Sequence, residues 1–372
     1  MKKKYFAVLL VPCLLFGCSP KYSYKENAVP NPTKLSPRLQ KLFTKTKILC
    51  FGRYALEVPE EAKLIWGSAS FPSRIDILPG GPDAAKRQVA DDIAQLKSED
   101  DTAEVTYSQE GPVKGSWQIR YYEGEVGKDL GLHYLKTYLN KGDLNFILTG
   151  TVGKGTEESA VAREAARAKS LRLRTDDEVP SDPGYCIEHG FMSDDLYNSQ
   201  EIVNAGIYLP SLPDITFSIS SNKNAYSDYS PEEFERTQRA ELSLLARIKQ
   251  AQEDQGVGYP SRTVLREGKR TVQHWQGEES LIRRSDSVHD FEWALVGTPK
   301  DVANPSEFNA QMYTKVEHDT VGAAKAASLS DEEAISLWDK LLSGLKFRVK
   351  VPKAPEGSYF LPQNKPAPAV GH

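Results

Sequence analysis

Gly184-Tyr185-Cys186-Ile187 stands at the middle of a chain of 372 residues and opens a run of elements already written once, from Cys50-Phe51-Gly52-Arg53-Tyr54 onward. In the first half, alternating stretches at 63–68 and 74–78 lead to a segment, 83–97, where Val89, Ile93 and Leu96 recur at helical spacing. Four strand-like runs follow, at 103–108, 116–122, 132–139 and 144–152. A second helix at 157–168 then leads into Leu171-Arg172-Leu173-Arg174 as a closing strand.

The second half keeps that order. Strands at 201–208 and 214–220 precede a helix at 231–250, with Phe234, Leu242, Leu245 and Ile248 as its apolar residues. Strand-like runs at 262–267, 269–275, 291–296 and 311–316 come next. The last helix, 331–342, has Ser330 before it and Glu333 three positions later, a capping-box pattern. It stops at Gly344, and Leu345-Lys346-Phe347-Arg348 closes the half as Leu171 to Arg174 closes the first. Residues 111–115 and Gly268 punctuate equivalent turns on this reading. The expectation is an α+β chain of two similar domains from an internal duplication, each an antiparallel sheet with two packed helices. Helices that fall between strand groups, rather than after every strand, argue against a doubly wound parallel sheet.

The ends read differently. Lys2, Lys3 and Lys4 precede an apolar stretch, 5–16, too short to span a membrane and suited to a secretory signal. It runs into Leu15-Phe16-Gly17-Cys18, which resembles the lipobox of bacterial lipoproteins, with Cys18 as the acylated residue. By the same resemblance, Ser19 favours delivery to the outer membrane; the plain alternative is a signal peptide with an incidental cysteine. Residues 18–46 hold Pro20, Pro30, Pro32 and Pro37 and read as a tether with a reach on the order of 30 Å. A proline-rich tail occupies 351–372. The domains expected are therefore a signal at 1–17, the tether at 18–46, folded units at 47–178 and 179–350, and the tail.

Charge and motifs narrow the function. The chain carries 47 Lys+Arg against 51 Asp+Glu, a net −4, so there is no electrostatic case for nucleic acid. Loss of 1–17 would remove three lysines, leaving 44 against 51 and a charge of −7. No G-x-S-x-G, S-x-x-K, H-E-x-x-H, C-x-x-C or complete P-loop occurs, and 150–155 reads as a strand-to-helix turn. Cys186 and His189 would supply half a zinc site with no second pair, so no metal, cofactor or catalytic residue is expected. With Cys13 removed and Cys18 acylated, Cys50 and Cys186 are the remaining thiols, at matching places in a chain bound for an oxidising compartment. They form either a disulfide between the domains or two separately buried thiols.

The pattern Cys50-x-Gly52-Arg53-Tyr54-x-x-x-Val58-Pro59, the mid-chain Gly184 to Ile187 and the Leu329-Ser330-Asp331-Glu332-Glu333-Ala334 helix with Trp338 resemble the Tle cognate immunity proteins. These exported proteins neutralise lipase effectors delivered by type VI secretion. The resemblance spans 47–350 and implies a periplasmic, non-enzymatic inhibitor that binds a phospholipase effector and obstructs its catalytic cleft or lid. Trp66, Trp117, Trp275, Trp293 and Tyr313 are candidate contact aromatics that equally suit a sheet core. Loops at 288–306 and 316–329, carrying Asp290, Asp301, Glu317 and Asp319, are candidates to meet a basic effector rim. Two other classes stay open: a lipoprotein binding another envelope partner or small ligand, and a surface hydrolase without a recognisable motif.

Overall fold

In the computed structural model, which describes residues 34–72, 74–224, 242–314 and 327–360, the duplication takes the form of two halves with the same order of elements. A short helix α1 (Pro37–Leu42) precedes the hairpin β1 (Thr46–Phe51) and β2 (Tyr54–Pro59). Strands β3 (Lys63–Ser70) and β4 (Ile75–Pro79) lead into α2 (Gly81–Glu99). Then come β5 (Glu104–Glu110), β6 (Ser116–Tyr122), α3 (Glu125–Leu130), β7 (His133–Lys141), β8 (Leu144–Val152), α4 (Glu157–Ser170) and β9 (Leu171–Leu173). The second half opens with the hairpin β10 (Gly184–Ile187) and β11 (Gly190–Ser193), then β12 (Glu201–Tyr208), β13 (Thr216–Lys223) and α5 (Leu244–Gln255). It ends with β14 (Arg262–Val272), β15 (Trp275–Arg284), β16 (His289–Val296), β17 (Glu307–Tyr313), α6 (Asp331–Ser343) and β18 (Leu345–Phe347).

The first half builds a five-stranded antiparallel sheet, β4-β8-β7-β6-β5, with a helix on each face. Strand alternation assigns the faces. Tyr138 and Ile147 pack with Ile119, Tyr121 and the α2 residues Ala85 and Leu96, whereas Leu135 and Val152 pack with Ala160 of α4. The chain turns into α2 through Gly80 and Gly81, both at positive φ (105° and 66°), where a side chain would strain the backbone.

The second half builds the larger sheet, β14-β15-β16-β17-β13-β12-β3, whose last strand comes from the first half. Helix α6 covers it. Ser330 caps α6 in the expected box with Glu333, and Asp331, Glu332 and Glu333 fill its first turn, where the helix dipole favours negative charge. Its Leu337, Trp338, Leu341 and Leu342 are fully buried with Trp275, Trp293, Phe291 and Phe308. This core is continuous with Leu56 and Tyr185 of the two hairpins, so the halves share it.

The halves also exchange strands. The closing strand β18 pairs with β2, as Leu345↔Leu56 and Phe347↔Tyr54, and β9 pairs with β11, as Leu171↔Met192 and Leu173↔Gly190. Each half's opening hairpin is thus completed by the other half's last strand. The α+β class and the duplication stand, and domains cut at 178 divide sheets that the fold joins.

Several expected boundaries need correction. Gly268 is no turn: β14 runs through it, paired with Glu279, and the chain reverses at Gln273 and His274, with Gln273 at φ 55°. A strand over Trp275–Arg284 was not expected, because its charged residues conceal it. Glu279 in it is fully buried, held by Arg266 (2.6 Å), by Arg270 and by the Trp338 indole N–H (2.8 Å). Asp339 completes the cluster with both arginines at 2.5 and 2.6 Å. Helix α5 reaches Gln255 rather than 250; Phe234 and residues 315–316 lie outside the described residues. The tether ends earlier than 46, since Leu39 of α1 is 1% exposed and Ser36 and Arg38 bond Glu333 at 2.8 and 2.7 Å. The tail starts later than 351: Val351 is buried, and Ser358 O and Phe360 N hydrogen-bond Phe347 at 3.1 and 2.9 Å.

Candidate functional site at the junction of the halves

Two tight hairpins lie back to back at the junction. In one, Phe51 pairs Tyr54 across Gly52-Arg53; in the other, Ile187 pairs Gly190 across Glu188-His189. Gly52 and Cys186 exchange both backbone hydrogen bonds at 2.8 Å, and a disulfide joins Cys50 to Cys186 with Cα atoms 6.0 Å apart. Gly52 sits at φ 52°, and a Cβ there would lie 2.9 Å from Val203 of β12, so the turn can pack this closely on β12 only with glycine.

The basic residues that end the two closing strands clamp this junction. Arg174 donates its backbone N–H to His189 O (2.9 Å), and Arg348 donates its own to Arg53 O (2.8 Å). The Arg174 guanidinium donates to Gly190 O (3.3 Å), Ile187 O (3.2 Å) and Glu178 O (2.9 Å). The Arg348 guanidinium donates to the carbonyls of Pro180, Asp182 (2.6 Å) and Gly184 (2.9 Å). Burial, with Arg53 repelling it, pulls Arg348 down to about 10.

Arg53 anchors the polar side. It donates to both oxygens of Glu201 at 2.8 Å and to Asp194 at 2.5 Å, while Lys223 reaches Glu201 at 3.0 Å and Tyr197 O at 2.6 Å. Burial works against the Arg53 cation, but Glu201 and Asp194 outweigh it and hold its pKa above the usual arginine value. Burial pulls Lys223 the other way, with Glu201 opposing. The charges are satisfied within the protein, so this is scaffold chemistry rather than a reactive centre.

Beside the hairpins lie two neighbouring hollows. One, of about 1190 Å³, lies between β1, the start of β3 and the linker 176–182 that joins the halves. The other, of about 350 Å³, lies between β3 and β4. Trp66 and Glu188 line both. Acidic linker residues form one wall, where Glu178 holds Arg172 at 2.6 Å and Asp176 lies 3.6 Å from His189.

The expected site residues are dispersed. Asp290 lies near the start of β16, where burial raises its carboxyl pKa and Arg284, 3.9 Å away, opposes the shift. Asp301 follows the far end of that strand and accepts from its own turn at Ala303 N (2.9 Å). A strand of this length separates them by roughly 25 Å. Glu317, Asp319 and Cys18 lie outside the described residues. Trp275 and Trp293 are core; Trp117 is 42% exposed, Tyr313 is half-buried and Trp66 lines the junction. His189 cannot join Cys186 on a metal, since that sulfur is in the disulfide, and no group of three metal-ligating side chains occurs among the described residues. Sequence reasoning missed the clamp, although its signal, the shared basic ending at Arg174 and Arg348, was in view.

Two family models cover this arrangement end to end: residues 47–178 match the Tle cognate immunity protein 4 N-terminal domain, and residues 178–350 the C-terminal domain. The chain belongs to the Tle cognate immunity protein 4 family. Solved structures share the fold. The apo immunity protein TplEi of T6SS from Pseudomonas aeruginosa is 23% identical, with a TM-score of 0.65 over 82% of this chain and 98% of that one. The same protein complexed with "L" peptide gives 0.62 at 23% identity over 82% and 99%, and the Tle4-Tli4 complex 0.65 at 23% over 82% and 98%. No curated protein sequence matches the chain. In this member of the Tle cognate immunity protein 4 family the boundary between the two matched domains falls on Glu178, in the linker that walls the larger hollow.

Proposed function

We propose that this protein binds a lipase effector of type VI secretion and silences it as a non-enzymatic, stoichiometric inhibitor. The observation that carries the reading is the interlocked junction. Exchanged strands, a disulfide and two arginine clamps fix the two sheets relative to each other, so opposing surfaces can grip a partner without losing orientational freedom on binding. Family membership supplies the class of partner. The solved structures of similar fold that are complexes, one with a peptide and one of Tle4 with Tli4, support a binding role.

The finer proposal is a periplasmic lipoprotein, acylated at Cys18 and held at the outer membrane, that obstructs the effector's active site or lid. The Leu15 to Cys18 motif and the basic start support it, and an anchor would concentrate the inhibitor on the surface the toxin attacks. Asp290 and Asp301, at opposite ends of β16, with Glu317 and Asp319, are proposed as separate acidic contacts to the effector.

Co-expression with the product of the adjacent gene tests the reading. A stable complex with silenced lipase activity is expected; no complex, with that activity untouched, would redirect the search to another envelope partner.

A further inference from the structure

Among the described residues, the two sheets are joined by a single bridge. Ser70, the last residue of β3, bridges Arg74, and from there the strands part. β3 becomes the outer strand of the seven-stranded sheet and β4 the outer strand of the five-stranded one. Among the described residues, neither has a neighbour strand on its second side.

The smaller hollow opens between those two edges. It is lined by Trp66, Gly67, Ser68, Ala69 and Ser70 in unbroken succession. Side chains alternate faces along a strand, so a surface that meets five consecutive residues meets the strand's edge, with its backbone N–H and C=O groups, rather than one face. Trp66 and Glu188 also line the larger hollow, which borders Lys63 and Leu64 at the start of the strand. The second half of β3 is therefore presented edge-on to the smaller hollow, and Lys63, Leu64 and Trp66 from the same strand border the larger one.

Exposed edges are normally blunted by proline, charge or a cover. β3 has no proline, and Lys63 at its start is its only charged residue. Its final residues, Ser68, Ala69 and Ser70, are small enough for a second backbone to come close. Ile65, midway, is 55% exposed. Across the groove the larger hollow is lined by more acids than bases: Asp176, Asp182 and Glu188, the first and last near His189, face Lys47 and Lys63, while Arg172 and Glu178 pair with each other.

We propose that β3 receives an extended, basic segment of the effector as an added strand, an inference that rests on the effector-binding reading above. Main-chain hydrogen bonds to the edge supply affinity, and the acidic wall selects basic side chains on the incoming strand. Up to the bridge at Ser70, the strand offers a track of about 23 Å, room for about seven peptide residues.

Overlapping 12-residue peptides covering the adjacent gene's product, titrated into the full-length protein in detergent by fluorescence anisotropy, test it. One basic peptide is expected to bind, more weakly as salt rises. N-methylation of alternate backbone amides should weaken it by about tenfold or more, while methylation of the intervening amides leaves it unchanged. Binding indifferent to methylation at every amide overturns strand addition. So does failure of every peptide while the whole effector is still captured and silenced, a result that leaves the immunity reading standing. Failure to capture the whole effector removes both.

Discussion

Cys50 and Cys186 occupy the same position in two equivalent hairpins, each two residues before the turn, and are bonded to each other with Cα atoms 6.0 Å apart. The bond therefore joins the duplicated units through matching residues and braces the place where their strands cross over.

Replacing both cysteines by alanine should lower stability by about 2–4 kcal/mol, the usual worth of a native disulfide closing a long loop. Denaturant titration of wild type with and without reductant, beside the double variant, checks this. Reduced wild type and variant should coincide.

Glu279 is buried between Arg266 and Arg270 and accepts from Trp338. Glu279→Ala leaves two arginines sharing only Asp339 and should cost about 3–5 kcal/mol by equilibrium unfolding. Asp301→Ala, which touches only its own turn, should cost under about 1 kcal/mol.

Hydrogen bonds from Arg38 first, and then from Ser36 and Ser330, hold the Glu333 pKa at about 2 against an ordinary 4.5. A depressed carboxyl stabilises the fold above its unfolded value, and that contribution fades as pH falls from about 4.5 towards 2. Glu333→Gln should therefore be less stable than wild type at pH 7, with the gap closing across this window. A gap that persists undiminished at pH 2 would contradict the assignment.

Arg348→Met removes the donors that gather the carbonyls of Pro180, Asp182 and Gly184. Loss of those bonds should destabilise by about 2–3 kcal/mol, and hydrogen exchange should rise first in 180–184. Arg348→Lys, with a point charge in place of a planar fork, should recover only part.

Periodicity made the element order legible, because apolar spacing in α2, α4 and α6 and the alternation in the strands are local properties. The closing tetrapeptides marked the end of each half. What stayed hidden was non-local. Nothing in Leu345 to Phe347 says that its partner is Tyr54 to Leu56 rather than a strand of its own half. β15 stayed hidden because Glu278, Glu279, Arg283 and Arg284 interrupt its apolar pattern, whereas Arg266 and Arg270 on the neighbouring strand make burial of Glu279 tolerable. The linker acids lay in plain sight, yet only the fold sets them opposite the open edge of β3.

The exchanged closing strands bear on how the molecule is made. The first hairpin waits for a partner about 290 residues downstream, and long-range pairing of this kind slows folding. During synthesis the opening hairpin emerges well before the strand that completes it. The five-stranded sheet, built wholly from the first half, needs no such wait, so the two sheets differ in how early their strands can all pair. A chain cut before β18 is left with an unfinished hairpin whose β2 edge is open, and should fall to proteolysis sooner than the whole chain.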